Sequence, residues 1–122
     1  ANVLEYYSFL DLLLLTSISE GQPLSILEGL AAGIPFISTD VGNCREILLE
    51  KTDIGEAGVI IPPTSYTDLA LSLVQLYHNP EKLKEFSKNG KKIVNKYYSK
   101  ESFIQRYREI YDEMKGVEEW QE

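Results

Sequence analysis

Two carboxylates, Glu20 and Glu28, stand with seven residues between them in the stretch Ser19-Glu20-Gly21-Gln22-Pro23-Leu24-Ser25-Ile26-Leu27-Glu28. An ionised carboxylate only accepts hydrogen bonds, so it suits a ligand that presents hydroxyls. Gly21 gives the chain between them the freedom of a tight loop. Pro23 fits the first position of a helix, where its missing N–H costs nothing. The spacing therefore predicts a loop and then a helix over residues 23–32, with unpaired N–H groups and the positive end of the helix dipole at its start. Anions bind well at such a junction. A plainer reading is open on residue types alone: Glu28 as a solvated helix residue, and Glu20 as a loop acid favoured only by the dipole.

The elements that must position these residues follow from the apolar pattern. Leu24, Leu27 and Ala31 share one face of the helix, with Ile26 and Leu30 beside them, and Gly33 suits the position just past its last turn. Before the loop, residues 2–9 read as a short helix and Asp11-Leu12-Leu13-Leu14-Leu15-Thr16 as a strand buried on both faces. Ile34-Pro35-Phe36-Ile37-Ser38 is a second strand, with Pro35 tolerated near its beginning. Asn43 and Glu46 read as a capping box for a short helix carrying Ile47, Leu48 and Leu49. Gly58-Val59-Ile60-Ile61 is a third strand, stopped by Pro62-Pro63. Ser65 and Asp68 cap a helix over 66–77 that presents Leu69, Leu73, Val74 and Leu76, with Leu71 more exposed. Asn79 as cap and Pro80 at the first helical position open the next helix, striped by Leu83, Phe86, Ile93 and Val94. Gly90 is an interior weakness of about 1 kcal/mol relative to Ala. Ser99 caps a final helix with Phe103, Ile104, Tyr107, Ile110, Tyr111 and Met114 at helical spacing. Strands alternating with helices make an α/β chain: half of a Rossmann-like, doubly wound parallel sheet of about three strands with flanking helices, plus C-terminal helices. The Asp11–Thr16 strand is expected at an open edge of that sheet, where it invites pairing with another chain and hence homo-oligomers.

Composition narrows the function classes. A chain of 122 residues is one domain and can bury a core without staples. Its 43% hydrophobic and 25% charged residues are ordinary for a water-soluble globular domain. A net charge of −7 argues against a nucleic-acid surface, which would need clustered Lys and Arg. A single cysteine excludes an internal disulfide and a cysteine-rich metal site. The apolar run around Leu12–Leu15 is far too short to span a bilayer, no signal peptide is evident, and a cytoplasmic location is expected.

The residues around the two carboxylates carry a family resemblance. Ser19-Glu20-Gly21, Leu27-Glu28, Ala31-Ala32-Gly33, Ile34-Pro35, Thr39-Asp40-Val41-Gly42, Arg45-Glu46, Gly58-Val59-Ile60-Ile61-Pro62 and Tyr107…Ile110-Tyr111 occur in the order found in retaining glycosyltransferases of family 4, which have the GT-B fold. The E-x7-E spacing alone is weak, whereas the ordered set covers nearly the whole chain. The Gly21-Gln22-Pro23-Leu24 and Asn43-Cys44-Arg45-Glu46 variants most resemble the subgroup that builds Pel-type exopolysaccharide. The resemblance implies that residues 1–115 are the C-terminal portion of a nucleotide-sugar-binding domain, with 116–122 a disordered tail. It implies a partner N-terminal domain, a nucleoside-diphosphate sugar donor (UDP-glucose by the Pel-type likeness), a glycan or polysaccharide acceptor, and hexose transfer with retention. It also implies that this portion is inactive by itself, because the cations that neutralise the departing diphosphate come from earlier in the family's chain.

By the same resemblance, Glu20 is catalytic and lies against the donor sugar, Glu28 accepts from the ribose hydroxyls, and Gly21 and Gln22 donate to sugar hydroxyls. Backbone N–H groups of Leu24 and Ser25 face the diphosphate. Pro23, where the family usually has Gly, cannot donate. No cofactor and no metal are expected, since no Asp-x-Asp pair is present. An inert half-domain, or a non-enzymatic nucleotide-binding or interaction module, is the alternative; strand ends at Thr16, Ser38 and Ile61 count against a phosphoacceptor receiver. Among the remaining residues, Arg45 either approaches the cleft or pairs with Asp40, Cys44 packs or has a lowered thiol pKa, and His78 lies on the surface. Lys88, Lys91, Lys92 and Lys96 form a solvated face, with a weak membrane-surface association as its other reading.

Overall fold

A computed structural model describes residues 9–16 and 24–99 of the chain. The expected helices over 2–9 and from Ser99 onward fall on residues that lie almost entirely outside that range. Three strands, β1 (Leu13–Leu15), β2 (Phe36–Thr39) and β3 (Gly58–Ile61), form one parallel sheet in the order β1-β2-β3. The register places Leu13 beside Phe36 and Phe36 beside Gly58. Parallel neighbours need long crossovers, and helices supply them: α1 (Leu24–Ala31) lies between β1 and β2, and α2 (Cys44–Leu49) between β2 and β3. Helices α3 (Tyr66–Tyr77) and α4 (Pro80–Tyr97) follow.

Alternation along β2 divides the core. Phe36 joins Ile26, Leu27, Leu30, Cys44, Ile47 and Leu48 of α1 and α2 on one face of the sheet. Ile37 joins Leu76 of α3 on the other. Helix α4 serves both, with Phe86 in the second cluster and Ile93 in the first. It runs past the N-terminal ends of the strands, where Ser87 Oγ donates to the Gly33 carbonyl at 2.6 Å and Asn89 Nδ2 to the Glu56 carbonyl at 2.8 Å. The loop after α2 is tied to the far end of α4: Asp53 accepts from the Tyr97 hydroxyl at 2.7 Å and pairs with Lys96, and the Lys51 ammonium lies 4.6 Å from the Tyr97 ring.

Several helix ends form as their sequences dictate. Ser65 Oγ accepts from the Asp68 N–H, and Asn79 accepts from the Lys82 N–H at 3.1 Å with Pro80 in the first turn of α4. Gly33 closes α1 at φ +82°. Four expectations are corrected. The buried residues of α1 are Ile26, Leu27, Gly29 and Leu30, while Leu24 and Ala31 are exposed, because the sheet lies under the opposite flank of the helix. Val74 is 56% exposed, since α3 packs through Leu69, Leu73 and Leu76 and leaves its outer face bare. Leu14 is 44% exposed instead of buried, because β1 is an edge strand. Gly90 is not merely a weak point: α4 approaches α1 so closely there that an added Cβ would sit 2.8 Å from Leu30 Cδ2.

Two predictions follow from this packing. At Gly58 an added Cβ would lie 2.3 Å from the Phe36 carbonyl oxygen, which is backbone and cannot rotate away. Gly58→Ala should cost about 1–3 kcal/mol in urea unfolding. Gly90→Ala should cost less, because about 1 kcal/mol of helix propensity offsets the crowding of Leu30; an equal or larger loss at Gly90 would contradict the packing. The second concerns Asp53, whose carboxyl is held below its ordinary range by hydrogen bonds from Lys96 and then Tyr97. A depressed carboxyl stabilises the fold above the unfolded-state value near 4 and loses that contribution as pH falls through the folded value. Asp53→Asn, which imitates the protonated acid, should lower Tm at pH 7, with the gap narrowing as pH falls below the unfolded-state value near 4. A gap that stays constant from pH 7 to pH 2.5 would show that the charge on Asp53 contributes nothing.

Candidate functional site

Because the three strands are parallel, their C-terminal ends share one edge, and in open α/β sheets ligands sit outside that edge. Thr16 follows β1 there, and Thr39 and Ile61 end β2 and β3. Helix α1 starts from the same edge. Its first residue, Leu24, is 65% exposed, and Ser25 and Glu28 are exposed with it. Glu28 stands four residues after Leu24 and three after Ser25, so the helical period sets the three on one face, opposite the buried Ile26 and Leu30. The first turn of α1, with the positive end of its dipole, thus stands at this edge with an exposed carboxylate one turn further on. Glu20, Gly21 and Gln22 lie outside the described residues. The structure thus brings together Leu24, Ser25 and Glu28 of the six residues singled out from the sequence.

On the α3 side of this edge, a cavity of about 120 Å³ is lined by Thr16, Thr39, Ile61, Thr64, Ser65, Tyr66 and Leu69. The strand ends are tied to one another here. Thr39 Oγ1 donates to the Leu15 carbonyl at 3.4 Å, and the Asp40 N–H donates to the Ile61 carbonyl at 2.9 Å. Thr64 has φ +64°, the left-handed region that a β-branched side chain rarely adopts. Such strain is held in place by the surrounding structure and gathers at binding sites. Thr39 and Thr64 were missed by sequence reasoning. The rule that ligands lie beyond strand ends would have found Thr39. No sequence signal marks the backbone of Thr64.

The turn after β2 resolves two open readings and corrects a third. Arg45 forks onto Asp40, with Nη2 at 2.8 Å and Nε at 3.2 Å from Oδ2. That hydrogen-bonded pairing raises the Arg45 pKa, and the guanidinium is committed to its neighbour. Cys44 is fully buried, so it packs. Asn43, expected as a cap, makes no capping hydrogen bond. Its φ of −102° and ψ of 25° lie outside the extended region that aims a cap side chain at the helix N–H groups. Its Oδ1 is buried without a partner among the described residues, and Glu46 pairs instead with Lys51 at 3.4 Å.

A parallel α/β sheet with a helix N-terminus and a carboxylate at its C-terminal edge defines a protein of the Rossmann-like class. Residues 1–93 match the family of glycosyl transferases group 1, and the chain belongs to that family. It is 31% identical over 91% of its length to a putative glycosyltransferase, EpsD, of Bacillus subtilis, of which it covers 28%. It is 29% identical over 90% of its length to the N-acetyl-alpha-D-glucosaminyl L-malate synthase of Bacillus anthracis, again covering 28% of that protein. The chain therefore spans just over a quarter of the length of these relatives. Its fold is that of sucrose-phosphate synthase from Thermosynechococcus elongatus, with a TM-score of 0.81 at 23% identity over 92% of this chain and 27% of the other. The C-terminal domain of a group 1 glycosyl transferase from Francisella tularensis matches with a TM-score of 0.68 at 27% identity, over 78% of this chain and 47% of that one. The fold is thus the Rossmann-like unit of GT-B proteins. No helix among the described residues is long and apolar enough to cross a membrane.

The strain at Thr64 yields a prediction. Asn tolerates the left-handed region far better than a β-branched residue. Thr64→Asn should therefore stabilise the chain by about 0.5–1 kcal/mol in urea unfolding. A loss of stability would show that the Thr64 side chain holds the loop by contacts that outweigh its backbone strain.

Proposed function

We propose that this chain forms the donor-binding part of a retaining glycosyltransferase, and that the whole protein moves a hexose from a nucleoside-diphosphate sugar to a polysaccharide or other glycan. The observation that carries the proposal is the shared exposed face of Leu24, Ser25 and Glu28 at the C-terminal edge of the sheet. On this reading the first N–H groups of α1 receive the diphosphate, Glu28 accepts from the vicinal ribose hydroxyls, and Glu20 lies against the donor sugar. The bond from the anomeric carbon to the departing phosphate breaks through an oxocarbenium-like state. The acceptor oxygen attacks from the same face, which retains the configuration, and its proton passes to the departing diphosphate. Glu20 positions the sugar and stabilises the developing positive charge. UDP-glucose is the proposed donor and a Pel-type exopolysaccharide the proposed product, made at the cytoplasmic side; both rest on the resemblance carried by Gly21–Leu24 and Asn43–Glu46. Transfer of a glycosyl group agrees with the family to which the chain belongs.

UDP and UDP-glucose titrated into the isotope-labelled chain should shift amide resonances centred on Ser25 to Glu28. Glu28→Ala should weaken UDP binding about tenfold or more, the loss expected when charge-assisted hydrogen bonds worth about 1.5–3 kcal/mol are removed. Shifts centred away from α1, or binding undiminished in the variant, would overturn the assignment.

A further inference from the structure

A second, larger cavity than the one beside Thr39 lies at the opposite end of the strands. It has a volume of about 620 Å³, within the range of small-molecule sites. Residues just before β1 and β2, among them Asp11 and Pro35, line it together with the lysines Lys84, Lys88 and Lys91 of α4. Lys84, Lys88 and Lys91 stand at i, i+4 and i+7, so α4 turns all three toward the same space. Their ammonium groups have no carboxylate partner among the described residues. Arg45, Lys51, Lys82 and Lys96 each hold an Asp or Glu, whereas these three hold none. In a chain of net charge −7 this is a local reversal of sign.

We infer that this cavity binds a phosphorylated ligand. Three ammonium groups within two turns of helix match the multiple charges of a phosphate or diphosphate, which Lys meets as a point charge. The stem of Lys91 lies across Gly33 at the C-terminal end of α1, so its charge is also favoured by that helix's dipole. Leu10, Pro35, Leu83 and the Tyr77 ring give the ligand an apolar surface to lie on, so its phosphate is attached to an apolar or planar body. Asp11, the one carboxylate among the described lining residues, would accept from a hydroxyl or an amine of the ligand. The site is separate from the donor edge: it lies before the strands begin, and its lysines belong to α4, not to α1. The same chemistry describes two sources, a soluble phosphorylated metabolite and the headgroup of an anionic phospholipid.

The test uses the whole chain and the variant Lys84→Gln/Lys88→Gln/Lys91→Gln, whose three side chains are exposed and can change without disturbing the core. Inorganic pyrophosphate is titrated by NMR at low salt, and binding is measured to vesicles of phosphatidylcholine with and without an equal part of phosphatidylglycerol. Pyrophosphate shifts at Gly33, Ser87 and Lys91, weakened at least tenfold in the triple variant, identify a soluble ligand. Binding only to the anionic vesicles, lost in the variant, identifies the headgroup. Pyrophosphate shifts confined to Ser25–Glu28 and unchanged in the variant, together with no vesicle binding, would overturn the inference while leaving the donor site intact. Retention of either binding at the lysine cavity in the triple variant would overturn it as well.

Discussion

The structure depends on the passage of α4 beneath the N-terminal ends of the strands. A parallel sheet needs cover on both faces, and α4 is the element that joins the two covers, through Phe86 on one side and Ile93 on the other. For one helix to reach both faces it must pass close under the sheet. Gly90 permits that approach, because no Cβ stands between the helix and Leu30. Burying polar backbone at this edge is costly unless it is paired. Ser87 and Asn89 meet the carbonyls of Gly33 and Glu56, the segments that lead into β2 and β3. Removing either donor would leave a carbonyl without that partner where the strands are anchored.

Anchoring at the N-terminal ends leaves the C-terminal ends open, and the polar groups gather there. Thr16, Thr39, Thr64 and Ser65 line the small cavity at that edge, and α1 starts from the same edge. The backbone strain at Thr64 is at this end as well. A rigid, doubly covered sheet can hold one non-glycine residue in a left-handed conformation, because the fixed positions of β3 and the capped α3 over-determine the loop between them.

Local signals were legible in the sequence and tertiary choices were not. The Ser65–Asp68 and Asn79–Pro80 starts, and the Gly33 stop, depend on residues within a few positions of one another, and each forms. Which flank of a helix is buried depends on where the sheet lies. Leu24 and Ala31, apolar and correctly spaced, therefore face solvent while Gly29 is buried. Val74 fails for the same reason. Asn43 has the right residue type for a cap and the wrong backbone, set by the turn that brings Asp40 onto Arg45. At the candidate site, helical period puts Leu24, Ser25 and Glu28 within reach of one face, but that this face is the exposed one depends on where the sheet lies. The contribution of Thr64 arises from a backbone angle that its residue type disfavours, so no propensity could announce it.

Charge is distributed along the strand axis in a way that bears on how each end could hold an anion. At the C-terminal edge, Arg45 is consumed by Asp40, so among the described residues an anion there would meet the main-chain N–H groups of α1. Main-chain donors are fixed in direction and survive side-chain substitution, which suits the proposed transfer, where a diphosphate must be held in one orientation. At the opposite edge the donors would be three flexible lysine side chains on α4, which adapt to many phosphate geometries and orient none of them closely. The two ends therefore differ in kind. On the two proposals, one end would supply the rigidity that chemistry at a single bond demands, and the other the tolerance of a site that reads charge and leaves geometry free.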